Sequence, residues 1–279
     1  MLGQRIITAA VLLVVLVLAL VTPAWWPFSL LMLLAVSAAG WEWARLNGAA
    51  GARAIVAGAC VAAACGATLF APELPNGVWW AVSVAWLVLG ALALRAGVAG
   101  WGRVPVAPRL FVGLVMLWAA WLAIISARAI GINYLLSVMS LVWAADIAAY
   151  FGGKAFGRRK LAPTISPGKS WAGVYSGMLG VLIVAFAWVQ AERRFDLDSA
   201  SLYADFLERF GAIALVLALL CMTALSVMGD LVESLAKRAA GAKDSSQLLP
   251  GHGGVLDRVD ALLPVLPLSL ALIHLPNLH

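Results

Sequence analysis

The 279-residue chain is 64% hydrophobic and only 11% charged, against about 45–50% apolar and about 25% charged in ordinary soluble domains. That surplus exceeds what one soluble core hides, so a polytopic membrane protein is expected and a soluble globular enzyme is excluded. The net charge of +6 comes without the aromatic and basic interleaving of a nucleic-acid surface. No nucleic acid is expected as a partner, and many loop cations read as orientation signals.

A bilayer core of about 30 Å needs about 20 helical residues. Apolar runs of that order predict nine transmembrane helices, near residues 6–22, 28–45, 54–71, 78–95, 110–127, 132–150, 171–190, 211–230 and 257–276. The runs are continuous rather than alternating, so the expected fold class is all-α. Residues 1–22 begin with Arg5 and an apolar run, but the run is long for a leader and no A-x-A site follows. An uncleaved first span is therefore expected. Trp25–Trp26 and Trp79–Trp80 fall at span ends, where indole rings favour the interface. Cys60, Cys65 and Cys221 match no metal or redox spacing.

With the N-terminus cytoplasmic, 15 of the 19 basic residues fall on the cytoplasmic side. Only Arg128, Arg193, Arg194 and Arg209 fall outside, a strong positive-inside bias. The C-terminus is then external. Residues 1–128 read as transmembrane scaffold helices. Residues 129–279 read as the catalytic region, with cytoplasmic loops at 151–170 and 231–256.

The polar residues of that second region are unevenly placed. Asp146 and Tyr150 lie one helical turn apart near the cytoplasmic end of the sixth span. A basic loop follows, with Lys160 and the run Ser166-Pro167-Gly168-Lys169-Ser170 just before a span. Backbone N–H groups at a helix start attract anions, although part of this charge serves orientation. Asp230, Glu233, Ser234, Lys237 and Arg238 recur at helical spacing and share one face. Pro250-Gly251-His252-Gly253-Gly254 must turn sharply and lets backbone approach a ligand.

The last span is too short unless it begins near Asp257. A single helix from there would put Asp257 and Asp260, three residues apart, on one face. Close carboxylates repel unless a cation lies between them. Asp230, Asp257 and Asp260 are therefore the expected metal ligands, with Mg²⁺ the natural ion for carboxylates plus phosphates.

The pattern S-x2-K-R-x4-K-D-x7-H-G-G-x2-D-R-x-D runs from Ser234 to Asp260 and resembles the signature of the phosphatidate cytidylyltransferases. Asp146, Tyr150, the Ser166–Ser170 segment and Gly229-Asp230 resemble the same family. The resemblance implies transfer of CMP from CTP to phosphatidic acid, giving CDP-diacylglycerol and pyrophosphate. It implies catalytic roles for Asp230, Ser234, Lys237, Arg238, Lys243, Asp244, His252, Asp257, Arg258 and Asp260. It implies substrate contacts for Asp146, Tyr150, Lys160, Ser166, Lys169, Ser170, Gly253 and Gly254. Mg²⁺ is implied, and a second cation such as K⁺ is left open. CTP, phosphatidic acid, the lipid bilayer and a second copy in a homodimer are the implied partners. The bacterial inner membrane is the implied location, with the active site facing the cytoplasm. Two rivals fare worse. The D-G-x2-A-R-x8-G-x3-D-x3-D pattern of CDP-alcohol phosphotransferases is absent. A transporter would place its acids near midplane in repeated halves, and no repeat is found.

Overall fold

A computed structural model describes residues 2–69 and 74–276. Eight helices follow in order: α1 Leu2–Val21, α2 Trp26–Leu46, α3 Ala52–Thr68, α4 Asn76–Trp101, α5 Val106–Ile130, α6 Ile132–Phe156, α7 Trp171–Glu192 and α8 Leu202–Ala239. A short α9, Leu256–Val259, and a twelve-residue α10, Leu262–Ile273, complete the helices. The chain is thus mainly helical and suited to a membrane, as composition requires. Six of the described helices, α2 and α4–α8, are long and apolar enough to cross a bilayer. The apolar parts of α1 and α3 are shorter. The nine full-length spans expected from the runs are therefore not all found, and the end of the third expected span lies outside the described residues.

The ninth span is the clearest correction. The chain turns at Asp260 and Ala261 between α9 and α10, so Asp257 and Asp260 do not share a continuous helix. Pro264 explains the break. In a helix its nitrogen would have to donate to the Asp260 carbonyl four residues earlier, and proline has no N–H to give. The residues of α10 from Leu262 to Leu272 are buried. Irregular backbone at membrane depth is tolerated where protein covers it.

The all-α expectation also needs a small amendment. Within the expected 151–170 loop, β1 Lys160–Ala162 pairs antiparallel with β2 Ser166–Ser170, Lys160 opposite Ser170 and Ala162 opposite Ser166. Five residues beyond the expected end at 150, α6 is still helical. Residues 202–210 and 231–239, expected as loop, belong to α8, which bends at Gly211 with φ of 79°.

The chain divides into two compact units. The first comprises Met1–Pro72, Val98–Leu122 and Ala236–Val259. Here α2 and α3 pack closely: a Cβ added to Gly58 would lie 2.7 Å from the Ser37 carbonyl. Trp43 Nε1 donates to the Arg109 carbonyl at 3.2 Å, tying α2 to α5. The second unit comprises Glu73–Gly97, Ala123–Leu235 and Asp260–His279. Its frame is the α6–α7 pair. Gly173 and Gly177, one turn apart, face α6 so closely that a Cβ would lie 3.0 Å and 2.9 Å from the Ala149 and Ala145 carbonyls. Small residues at this spacing let membrane helices approach. Asp198 caps α6, accepting from the Ile132 and Asn133 amides at 2.5 and 3.0 Å.

Candidate active site

In the first unit the site is built by the segment joining α8 to α9. Arg238 in the last turn of α8 donates to the Ala242 carbonyl at 3.2 Å, while the Ala240, Gly241 and Ala242 amides bond the carbonyls of the last helical turn. Pro250 and Gly251 then make a tight turn. Gly251 has φ of 76°, and the His252 amide donates to the Leu249 carbonyl at 2.8 Å. Proline followed by a residue at positive φ is the type II pattern. The Leu249 amide closes the turn by donating to the Gly253 carbonyl at 2.9 Å.

Asp257 anchors this segment from below. Its Oδ1 accepts from Lys237 Nζ at 2.6 Å, and both side chains are largely buried. Its Oδ2 accepts from the Ser245 amide at 2.9 Å, Ser245 Oγ at 2.9 Å and the Gly254 amide at 2.8 Å. Four donors thus hold one carboxylate. Gly253, at φ of 82°, lies so near that an added Cβ would be 2.8 Å from Asp257 Oδ2. Arg258 forks onto the His252 carbonyl through Nε and Nη2 at 3.0 and 2.5 Å, bracing the turn it follows.

The segment borders a half-open cavity of about 690 Å³, lined by Lys243, Asp244, His252, Gly253 and Arg258 among others. His252 Nδ1 is buried without a hydrogen-bond partner. Such orphaned atoms are uncommon in proteins and here mark an open position beside two cationic side chains. The expected residues Lys237, Lys243, Asp244, His252, Gly253, Gly254, Asp257 and Arg258 therefore gather in one place. Arg238 reaches to the Ala242 carbonyl of the following loop.

The second unit gathers a different set. Lys169 from β2 meets Asp230 from α8, Nζ to Oδ2 at 2.6 Å, with side chains about a quarter to a third exposed. Ser234, one turn on, donates to Asp230 Oδ1 at 3.2 Å, as the shared helix face anticipates. Asp146 on α6 is within electrostatic reach of Lys169 and Asp230. Asp260 Oδ1 accepts from the Ala261 amide at 2.9 Å at the break. Gly229 lets α8 come close to that break, since a Cβ there would lie 2.4 Å from the Asp260 carbonyl and 3.0 Å from Pro264 Cδ.

Other expected residues have local structural duties. Ser170 is buried and caps α7, its Oγ accepting from the Gly173 amide at 3.2 Å. Lys160 is exposed and Ser166 half-buried at the two ends of the hairpin. Tyr150 is 63% exposed and packs edge-on against Phe151 at 5.3 Å.

One residue of the site is absent from the expectations above. Glu42 of α2 is wholly buried and accepts hydrogen bonds from Ser246 Oγ and the Val255 and Leu256 amides, with Ser245 Oγ 3.2 Å away. Its signal in the sequence is a lone carboxylate between Trp41 and Trp43 inside an apolar run, and intramembrane acids are costly unless they have a task.

Among the described residues, no three His, Cys, Asp or Glu side chains group closely enough to cage a metal. Mg²⁺ seldom uses such a cage; one or two carboxylates plus substrate phosphates is its usual setting. The hard oxygen donors of Asp230 and Asp260 fit it, and a cation at the partly exposed Asp230 would take the place of the Lys169 ammonium. Asp257 is already filled by four donors, and a cation there would displace the Lys237 ammonium.

A family model described as the cytidylyltransferase family matches residues 3–275. The chain is 41% identical over 281 residues to the phosphatidate cytidylyltransferase of Pseudomonas aeruginosa, covering 98% of this chain and 97% of that protein. It is 49% identical over 137 residues to the phosphatidate cytidylyltransferase of Haemophilus influenzae, covering 49% and 44%. With the protein of that name from Brucella melitensis it shares 40% over 133 residues, covering 48% and 44%.

Proposed function

The chain belongs to the cytidylyltransferase family, and we propose that it transfers the cytidylyl group of CTP to phosphatidic acid. The product CDP-diacylglycerol stays in the membrane and pyrophosphate leaves. The near full-length match to the Pseudomonas aeruginosa protein carries this reading, and the chemistry of the two polar clusters supports it. A phosphate oxygen of the lipid bonds to the α-phosphorus of CTP. The bond from that phosphorus to the α–β bridging oxygen breaks, and its electron pair departs with pyrophosphate. A lipid phosphate is already ionised near neutral pH, so no strong base has to act. Both reactants are anions, so the main task is neutralising charge.

The first unit offers Lys243, Arg258 and His252 around its cavity, a setting for the triphosphate. Lys237 and Asp257 hold the wall of that cavity. Asp244 also lines it, and Arg238 adds a cation in the last turn of α8. The second unit offers Lys169 for phosphate charge, with Asp146, Tyr150, Lys160 and Ser166 as the surrounding surface and the buried Ser170 holding the start of α7. Asp230 and Asp260 are the residues that would hold Mg²⁺, which when bound neutralises phosphate oxygens and makes the α-phosphorus more electrophilic.

The membrane setting follows the same reading. The N-terminus is taken as cytoplasmic and the C-terminus as external, supported by the 15 basic residues on one side against four on the other. The shorter α1 and α3 and the broken α9–α10 segment would then complete nine passes with the six long helices. The inner membrane of a bacterium, with the polar clusters at the cytoplasmic face, would let soluble CTP meet a lipid. The homodimer is carried over from the family resemblance.

Pyrophosphate release by purified protein in detergent micelles tests the assignment. Release should need phosphatidic acid, CTP and Mg²⁺ together, should stop with EDTA, and should fall about 10- to 100-fold with Asp230→Asn. No lipid-dependent release with any nucleotide would sink it.

A further inference from the structure

Glu42 stands in the apolar helix α2, about two hundred positions before the residues it binds. Its Oε1 accepts from Ser246 Oγ at 2.5 Å and the Val255 amide at 2.9 Å. Its Oε2 accepts from the Leu256 amide at 2.6 Å and lies 3.2 Å from Ser245 Oγ. Ser245 has one hydroxyl proton and two carboxylate neighbours, and the Asp257 contact is the shorter at 2.9 Å. Asp257 takes that proton, so Glu42 relies on Ser246 and the two amides. These donors flank residues 247–254 on both sides. One carboxylate therefore ties together the two ends of the loop that carries His252 and Gly253.

The fit leaves no slack. A Cβ at Gly254 would lie 2.3 Å from Glu42 Oε1 and 2.0 Å from Ser245 Oγ. A buried carboxylate in an apolar helix is unfavourable unless hydrogen bonds replace its water, and those bonds come from this loop. Glu42 lines no part of the cavity itself.

We propose that Glu42 is a positioning residue for nucleotidyl transfer. It fixes the closed ends of the 245–256 loop so that His252, Gly253 and Asp257 are held in place before CTP arrives. The kinetic half of this proposal rests on the cytidylyltransferase reading; the structural half does not. With the cavity wall loosened, the nucleotide should bind less well and react less often, while the fold elsewhere remains.

Hydrogen exchange in detergent on the full chain reads the structural half. Glu42→Ala and the isosteric Glu42→Gln should speed exchange at Val255 and Leu256 at least about tenfold, while α6 and α7 amides keep wild-type protection. Losing hydrogen bonds to a charged group should lower kcat/KM for CTP about tenfold to a hundredfold. Ser246→Ala should lower it less and add under about twofold on top of Glu42→Gln, because both act through one bond. Should Glu42→Ala fail to fold, Glu42→Gln and Ser246→Ala carry the same test. Unchanged exchange at Val255 and Leu256 overturns the proposal. Faster exchange there with unchanged CTP kinetics overturns it too, leaving Glu42 a structural residue alone. A wild-type protein without transferase activity would refute the function while leaving the exchange result to stand.

Discussion

Replacing Lys237 with Ala removes the cation 2.6 Å from Asp257 Oδ1, in a pair whose side chains are only 11% and 7% exposed. Removing one partner of a buried pair costs about 3–5 kcal/mol, because the other charge is left uncompensated. Three donors remain on Asp257 Oδ2, so the lower end applies, about 3 kcal/mol. At about 2–4 °C per kcal/mol for a chain of this order, Tm should fall about 6–12 °C. The thirteen Trp residues give a fluorescence signal for unfolding in detergent. Asp257→Asn should cost a similar amount, since it removes the carboxylate charge facing the Lys237 ammonium. The double variant Lys237→Met with Asp257→Asn should recover at least about 1.5 kcal/mol relative to the sum of the singles, a coupling expected of residues in contact. Its stability should return without its turnover, because the ammonium is gone. Single effects that add within about 0.5 kcal/mol, or a Tm untouched by Lys237→Ala, would refute the reasoning.

Gly229→Ala puts a Cβ 2.4 Å from the Asp260 carbonyl; overpacking of this kind costs about 1–3 kcal/mol, and turnover should fall with Tm. A neutral result would mean that α8 and the break have room to spare. Lys169–Asp230 is partly exposed and worth at most about 1 kcal/mol to stability. Asp230→Asn should therefore barely move Tm while cutting turnover about 10- to 100-fold, and matched losses of both would argue for a structural role. Ser170→Ala should lose about 1 kcal/mol of capping with KM for CTP unchanged. A raised KM at constant Tm would instead make Ser170 a substrate contact.

The helices were legible because membrane spans obey one arithmetic of length and apolarity, and α2 and α4–α8 satisfy it. The shared face of Asp230, Ser234 and Lys237 was legible for the same local reason: helical spacing fixes it, and the Ser234–Asp230 bond bears it out. The break at Asp260 was also written in the chain, as Pro264, but the apolar count of the last segment masked it. The hairpin at 160–170 has strands of three and five residues, too short for a repeating pattern. Glu42 and the four donors on Asp257 were out of reach for a different reason. Those contacts join residues distant in the chain, and no local periodicity encodes them.

The clamp at Glu42 also has a history in time. Ribosomes extend a chain by about 5–20 residues each second. Ser245 and Ser246 are 203 and 204 positions downstream of Glu42, so they emerge about 10–40 s later. Throughout that interval α2 is already made, and its carboxylate has none of the hydroxyls and amides that finally surround it. Biogenesis must shelter this helix, in water or in the insertion machinery, until the last eighth of the protein arrives. The final loop is then the part that lets the second helix settle.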